Sequence, residues 1–136
     1  LTYEELMGIF EAKNVDLETI EPDEELKNGT GLGRGFAAAG GVALAVEDVI
    51  RKLRPGAEVK IQRADGLREC RKLLTLARAG KLDGYLLEGM ACPGGCIAGA
   101  GTIIAPEQAA KKLKEHIAQA DVTSCADSPF CAELEK

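Results

Sequence analysis

The sequence predicts an α/β fold with a small parallel or mixed sheet and βαβ crossover helices. Residues 57–62 and 84–87 have strand patterns, and an amphipathic helical pattern over residues 66–79 separates them. Strand, helix and strand within about 30 residues is the spacing of a βαβ unit, whose crossover is right-handed in nearly all proteins. Aliphatic side chains must build the core, because the 136 residues include three Phe, two Tyr and no Trp.

The chain opens with a helix-start signal. A hydroxyl at Thr2 and a carboxylate at Glu5 form the pattern of a capping box. Apolar residues then recur at helical spacing, which predicts a helix over residues 3–12 that ends near Asn14. Residues 15–20 alternate with period two, which predicts a short strand or extended segment ending at Pro22.

Residues 21–35 are acidic and then glycine-rich, which predicts a loop. The string G-T-G-L-G-R-G resembles a phosphate-binding loop, but Phe36 stands where a dinucleotide fingerprint read from Gly31 needs its third glycine. Read from Gly33, the string fits only the looser form that ends in alanine, at Ala38. No Lys-Ser or Lys-Thr pair follows. The sequence therefore favours close packing of this loop, under the next helix or against another lobe, over nucleotide binding.

Residues 38–54 have the clearest helical pattern, which Pro55 and Gly56 terminate. One apolar stripe runs along this helix, formed by Val42, Ala45, Val46, Val49, Ile50 and Leu53.

The predicted βαβ unit follows. Val59 and Ile61 share one face of the first strand, and Asp65 is expected to cap the helix over residues 66–79. Cys70 lies on the apolar stripe of that helix, so we expect it to be a small core residue. Gly80 is a natural residue to end the helix. The stripe consists of Leu67, Cys70, Leu73, Leu74 and Ala77.

The last predicted helix begins at Pro106, which suits the first helical position. Its apolar side carries Ala109, Ala110, Leu113 and Ile117, and its basic side carries Lys111, Lys112 and Lys114. The basic side is expected to be a solvated surface, with a docking patch for an acidic electron carrier as the alternative. His116, the only histidine, falls on the polar side, and the pattern favours no ligand role for it.

Chemistry is concentrated in the string Glu88-Gly-Met-Ala-Cys-Pro-Gly-Gly-Cys96, directly after the second predicted strand. Ligand sites of open α/β sheets form outside the carboxyl ends of the strands. Cys92 and Cys96 stand four residues apart around Gly94 and Gly95, whose amides could face a negative centre such as a thiolate-bound metal. The alternative is a glycine-rich turn with two free cysteines.

The seven residues M-A-C-P-G-G-C closely resemble the third cysteine motif of the iron-only (FeFe) hydrogenases, and homologues of the nuclear prelamin A recognition factor type share a related motif. L-T-Y-E-E-L at the start of the chain and the glycine-rich stretch at residues 31–42 also resemble that family, so the resemblance covers most of residues 1–101. It implies that Cys92 and Cys96 are metal ligands. Cys92 would ligate a 4Fe–4S cubane, and Cys96 would ligate the cubane and bridge to a two-iron subsite. Met90 would line the pocket beside the diiron site.

The sequence departs from that family in two ways. Typical members continue the motif as G-G-G-Q-P, whereas this chain continues as Gly99-Ala-Gly-Thr-Ile103. The family motifs T-S-C-C-P and P-C-x-x-K, which supply the other cubane ligands and a proton-relay cysteine, do not occur in the chain. We therefore expect residues 1–121 to be the C-terminal lobe of a hydrogenase catalytic domain, followed by a tail over residues 122–136. On this reading the H-cluster belongs to the longer protein. The chain alone is expected to hold no intact cofactor and to be inactive.

Cys125 and Cys131 in the tail could complete a four-thiolate site with Cys92 and Cys96, but a structural role, or a ligand role in the intact protein, is favoured. The implied partners are the N-terminal lobe of the same polypeptide and a ferredoxin-like electron carrier. Two alternative functions remain: an iron–sulfur carrier or assembly protein of the prelamin-recognition-factor type, and a hydrogen- or redox-sensing hydrogenase homologue. A domain that has lost its metal is a third.

Composition restricts the remaining choices. A net charge of −5 argues against nucleic-acid binding, which needs a basic surface. No apolar run approaches the roughly 18 residues of a membrane span. Five cysteines are an odd number without the spacing of a disulfide framework, which favours a reducing cytoplasm and metal or redox chemistry.

Overall fold

A computed structural model describes residues 1–21 and 29–133 of the chain. In this part, five α-helices accompany a two-stranded sheet in the order α1 (Tyr3–Ala12), α2 (Gly31–Arg34), α3 (Gly41–Leu53), β1 (Lys60–Asp65), α4 (Leu67–Arg78), β2 (Tyr85–Met90) and α5 (Pro106–Ala118). Short 3₁₀ turns occupy Gly35–Ala37, Cys96–Ala98, Cys125–Asp127 and Pro129–Glu133.

The predicted α/β class and its βαβ unit are confirmed. Strands β1 and β2 are parallel, with a register that runs from Lys60 opposite Tyr85 to Asp65 opposite Met90, and α4 connects them. Both strands lie further along the chain than the side-chain patterns predicted. Backbone pairing carries β1 on to Asp65 and β2 on to Met90, because ladder hydrogen bonds form irrespective of side-chain polarity.

The predicted cap of α4 is wrong. The residue before the helix is Gly66, at φ +91°, and it makes no side-chain cap hydrogen bond. Asp65 is instead the last residue of β1, and its carboxylate accepts hydrogen bonds from a different segment, described below. The stripe of α4 is also narrower than predicted: Leu73 is buried, whereas Leu67 and Leu74 are mostly exposed. Gly80 follows the helix at φ +70°, as expected.

The first helix is as predicted. The Thr2 hydroxyl accepts from the Glu5 amide and the Glu5 carboxylate accepts from the Thr2 amide, which completes the capping box. Asn14 ends the region with φ +53°. The strand or extended segment predicted for residues 15–20 is a turn, because Asp16 accepts hydrogen bonds from the Glu18 amide and from a hydroxyl one residue further on. Its predicted end at Pro22 lies outside the described residues.

Part of the loop predicted for residues 21–35 also lies outside the described residues, and its end is helical. Thr30 caps the single-turn helix α2 through a hydrogen bond from the Gly33 amide. Helix α3 starts at Gly41, three residues later than predicted. The loop packs tightly beneath it, as expected, because a Cβ on Gly41 would lie 1.9 Å from the Gly35 carbonyl oxygen. The glycine at residue 41 is therefore required.

The core is small and aliphatic. Its buried apolar residues are Ala43, Ala45, Ala64 and Leu73, and no large side chain in the described part is completely buried. The first turns of α3 bury small residues, whereas Val42 and Leu53 of the predicted stripe are exposed. Helix α5 begins at Pro106 as predicted. In the described ranges, no helix has the length and apolar character needed to cross a bilayer.

Candidate functional site

The cysteine loop, residues 91–99, follows β2 at the carboxyl end of the parallel sheet. The Gly95 amide donates to the Cys92 carbonyl at 3.0 Å, and Gly94 has φ +88°. A proline followed by a glycine at positive φ, closed by this hydrogen bond, is the pattern of a type II turn. Cys96 then starts a 3₁₀ turn. The two cysteines therefore flank one tight turn.

The carboxylate of Asp65 holds the centre of this turn. Both of its oxygens lie 3.0 Å from the Gly94 nitrogen, so the Gly94 N–H donates to the end of β1. Asp65 stands opposite Met90 in the sheet, and Met90 precedes Cys92 by two residues. The turn after β2 is thus tied across the sheet to the neighbouring strand.

Gly95 fixes the other side of the turn. It forms an isolated antiparallel bridge with Ala38, and the Ala39 amide donates to the Gly94 carbonyl at 3.3 Å. A Cβ on Gly95 would lie 2.5 Å from the Ala39 nitrogen and 2.6 Å from the Ala37 oxygen. Its φ of +90° and ψ of −167° are essentially restricted to glycine. The loop therefore needs glycine here for its conformation and for its close approach to residues 37–39.

Glu88 supports the same region from inside the sheet, with only 8% of its surface exposed. Its carboxylate accepts from the Gly40 amide at 3.2 Å and the Ala43 amide at 3.4 Å, and Arg63 Nε lies 4.0 Å away. A carboxylate at a helix N-terminus is favoured by the helix dipole and by the free amides of the first turn. The sequence indicated Glu88 only as an acidic residue before the cysteine motif. The available signal was a carboxylate within an apolar strand, in a chain with a glycine-rich helix start.

The thiols themselves are open. Cys96 is exposed and Cys92 is half-buried, and both are free cysteines. The hydrogen bonds of the described residues include none to either Sγ atom, although a Cβ on Gly99 would lie 3.2 Å from Cys92 Sγ. Met90 is half-buried at the end of β2, and its carbonyl accepts from the Gly66 amide at 2.8 Å. The sulfur pair is therefore accessible from the surface of the described part of the chain.

The other three cysteines make hydrogen bonds with residues outside this loop. Cys125 Sγ is 3.3 Å from the Thr30 hydroxyl, and Cys131 Sγ donates to the Cys125 carbonyl at 3.2 Å. Cys70, predicted to be a core residue, is only half-buried and donates to the Ala64 and Met90 carbonyls. Within residues 1–21 and 29–133, no three His, Cys, Asp or Glu side chains are grouped as metal ligands. The four-thiolate alternative is therefore not formed in this part of the chain.

A fit to an iron–sulfur cofactor can be judged from the donor set. Thiolates are the ligands that iron–sulfur clusters use, and two accessible thiols flanking a turn fixed by hydrogen bonds suit two positions on one cluster. The described residues bring no third ligand beside them. The loop thus fits a cluster that takes its other ligands from elsewhere.

Two apolar grooves flank the loop along α5. Ile97, the neighbour of Cys96, lines both grooves together with Leu113, and their volumes are about 470 and 280 Å³. His116 is exposed at the rim of the larger groove, and its carbonyl accepts from Arg34 Nη1 at 2.7 Å. The three lysines of α5, at residues 111, 112 and 114, are exposed.

A family model described as "Iron only hydrogenase large subunit, C-terminal domain" matches residues 1–100. The matched range includes helices α1 to α4, both strands and the whole cysteine loop. No curated protein matches the chain.

Proposed function

Because this chain belongs to the family of the C-terminal domain of the iron-only hydrogenase large subunit, we propose that it is one lobe of a larger hydrogenase. In that enzyme, protons and electrons are interconverted with dihydrogen. Cys92 and Cys96 would be two of the protein ligands of the H-cluster. The observation that carries this proposal is a pair of accessible thiols on a rigid loop at the carboxyl end of a parallel sheet.

The two cysteines, the two glycines and Met90 have separate tasks in this proposal. Cys92 would hold the cubane, and Cys96 would hold the cubane and connect it to the diiron subsite, where Met90 would line the pocket. The Gly94 and Gly95 amides already donate to Asp65 and Cys92. The glycines would therefore serve the cofactor by shaping the loop.

When bound, the cofactor supplies electron storage and the redox chemistry of hydrogen. The chain contributes orientation and burial. Cysteine binds iron as the deprotonated thiolate, so iron binding by Cys92 and Cys96 would release protons and its affinity would depend on pH. The hydrogen bonds that Asp65 and Glu88 accept hold the surrounding backbone before any metal binds, which lowers the conformational entropy cost of binding.

A second lobe is the partner that we propose for this surface. Among the described residues, the apolar side chains of Tyr3, Ile103 and Ile104, which line the larger groove, are exposed. Exposed apolar side chains and two grooves lie along α5 beside Ile97, the residue after Cys96. A lobe docked there would cover the apolar surface and bring the remaining cluster ligands to the open thiols.

The experiment uses the full-length polypeptide, matured with its cofactor, and the 136-residue chain alone. We expect the matured polypeptide to contain iron and to evolve or take up hydrogen, while the chain alone does neither. Absence of iron from the matured polypeptide would overturn the proposal. Bound iron without hydrogen chemistry would instead support the alternatives, an iron–sulfur carrier or a sensing homologue.

The electron partner proposed for the enzyme is a ferredoxin-like carrier in the cytoplasm. The exposed lysines of α5 at residues 111, 112 and 114 suit an acidic surface. Reversal of their charges to glutamate should raise the KM for a reduced ferredoxin and leave turnover with reduced methyl viologen, a small donor that needs no docking surface, largely unchanged. An unchanged KM would place the docking surface elsewhere.

A further inference from the structure

We propose that Asp65 is a positioning residue for the thiol pair. Its carboxylate sets the conformation of the loop that presents Cys92 and Cys96, although it contacts neither sulfur. The proposal rests on the proposed function in one respect, since it assumes that the pair holds a metal cluster.

The geometry of the contact supports this role. The Gly94 amide lies at the centre of the Cys92–Cys96 turn, and both Asp65 oxygens are 3.0 Å from it. Hydrogen bonds to an ionised acceptor are stronger than those between neutral groups. Asp65 itself is fixed as the final residue of β1, opposite Met90. The contact therefore transmits the position of the sheet edge to the loop between the two ligands.

The loop needs such an anchor because its two glycines can adopt many backbone conformations. Gly94 and Gly95 both have positive φ, at +88° and +90°, and glycine loses the most conformational freedom on ordering. The remaining anchors of the turn are backbone contacts, from Gly95 to Cys92 and from residues 38 and 39 to the two glycines. Asp65 provides the one side-chain hydrogen bond made to the turn in the described part of the chain. A substitution can therefore remove this anchor while the backbone stays intact.

The charge of Asp65 adds an electrostatic effect. A carboxylate that binds the backbone between two thiolate ligands would oppose the addition of an electron to the metal they hold, so it would lower the reduction potential. Asp65→Asn keeps an oxygen that can accept from Gly94 and removes the charge. Asp65→Ala removes both. The pair of variants separates positioning of the loop from tuning of the potential.

The first experiment measures hydrogen exchange of the Gly94 amide by NMR in the 136-residue chain without metal. Asp65→Ala should speed exchange by about tenfold or more, because the amide loses its acceptor, whereas Asp65→Asn should stay within about threefold of wild type. Asp83→Ala is the matched control, since Asp83 is an exposed carboxylate at the opposite end of the βαβ unit. Exchange in α4, at Leu73, reports whether each variant remains folded.

The second experiment uses the matured full-length polypeptide. Asp65→Ala should reduce the iron content and broaden the paramagnetic resonance signal of the cubane. Asp65→Asn should retain iron and move the cubane potential to a more positive value. Two results would overturn the proposal: unchanged Gly94 exchange in Asp65→Ala, or faster exchange with wild-type iron content and signal. Failure of the proposed function is distinct, because the wild-type polypeptide would then also lack iron. If Asp65→Ala unfolds, Asp65→Asn decides the question, and a cubane potential unchanged from wild type would overturn the proposal.

Discussion

Two pairs of cysteines lie in this chain, and the structure treats them in opposite ways. Cys125 bonds the Thr30 hydroxyl, and Cys131 bonds the Cys125 carbonyl, so both sulfurs serve the protein itself. Around Cys92 and Cys96, by contrast, Asp65 and the glycine backbone make the stabilising contacts, and the sulfurs are left accessible. A thiol pair suited to metal is thus recognised by accessible sulfurs on a backbone that other residues stabilise. The spacing of the cysteines, four residues in one pair and six in the other, does not by itself show which pair is suited to metal.

The surroundings of the two pairs strengthen this contrast. The segment around Cys125 is tied to α3, through a bond from the buried Ser124 hydroxyl to Asp48 and an ion pair between Lys52 and Asp127. These contacts attach residues 124–127 to α3. The contacts around Cys92 instead shape a turn at the sheet edge. The polar contacts around Cys125 stabilise the fold, whereas those around Cys92 fix the loop that presents the two thiols.

The largest expected effect separates the pairs directly. In the matured full-length polypeptide, Cys92→Ala and Cys96→Ala should each abolish hydrogen turnover and remove most of the H-cluster iron, because a cubane loses a ligand. Cys125→Ala and Cys131→Ala are matched controls that should keep both. The measurement is iron per polypeptide together with a hydrogen assay. Equal losses in all four variants would remove the distinction between the pairs.

The rigidity of the ligand loop gives the next largest effect. Gly95→Ala should lower the free energy of unfolding by about 3 kcal/mol or more, because the new Cβ meets backbone atoms 2.5 Å away at a φ and ψ restricted to glycine. Gly56→Ala is the control, with a similar φ of +86° and no atom within 4 Å of its Cβ, and should cost about 1 kcal/mol. Urea denaturation measures both. Equal losses in the free energy of unfolding would mean that the loop shifts to accommodate the new Cβ.

The buried carboxylate under the loop should have a smaller effect. Glu88→Gln keeps the shape of the side chain and removes its charge, so the hydrogen bonds to the first turn of α3 weaken. We expect a loss of about 1–2 kcal/mol in the free energy of unfolding. Glu58→Gln, at an exposed position, is the control and should change it by less than about 0.5 kcal/mol. A neutral result at residue 88 would show that Glu88 makes no net contribution to α3.

The helices and the sheet were largely predictable from the sequence, whereas the contacts of the cysteine loop were not. Periodicity, caps and breakers predicted α1, α3, α4, α5 and the parallel βαβ unit, since those signals are local. The family resemblance led to the cysteine loop. Asp65 was predicted as a helix cap, because Asp before a helix usually is one, yet its carboxylate binds Gly94, 29 residues away in sequence. Contacts of this kind arise from tertiary structure, and no local pattern contains them.

Residues 15–20 show the same limit in a different form. Their alternating pattern predicted a strand or extended segment, but a strand also needs a partner. The sheet in the described part has only β1 and β2, which pair with each other. Asp16 then satisfies nearby backbone groups through a local turn. Alternation thus predicts which residues could share a face, and the availability of a neighbouring strand decides whether they do.

The smallest expected effect concerns the sulfur that bonds a hydroxyl. Cys125→Ala removes the contact to Thr30, which still accepts from the Gly33 amide and so keeps its role as the cap of α2. We expect a loss of about 0.5–1 kcal/mol in the free energy of unfolding, because the thiol is a weak hydrogen-bonding group. Thr30→Ala, which removes the cap as well, should cost more, about 1–2 kcal/mol. Urea denaturation of the two variants measures both. If Cys125→Ala lowers the free energy of unfolding as much as Thr30→Ala does, the sulfur contact rather than the helix cap provides the stability at Thr30.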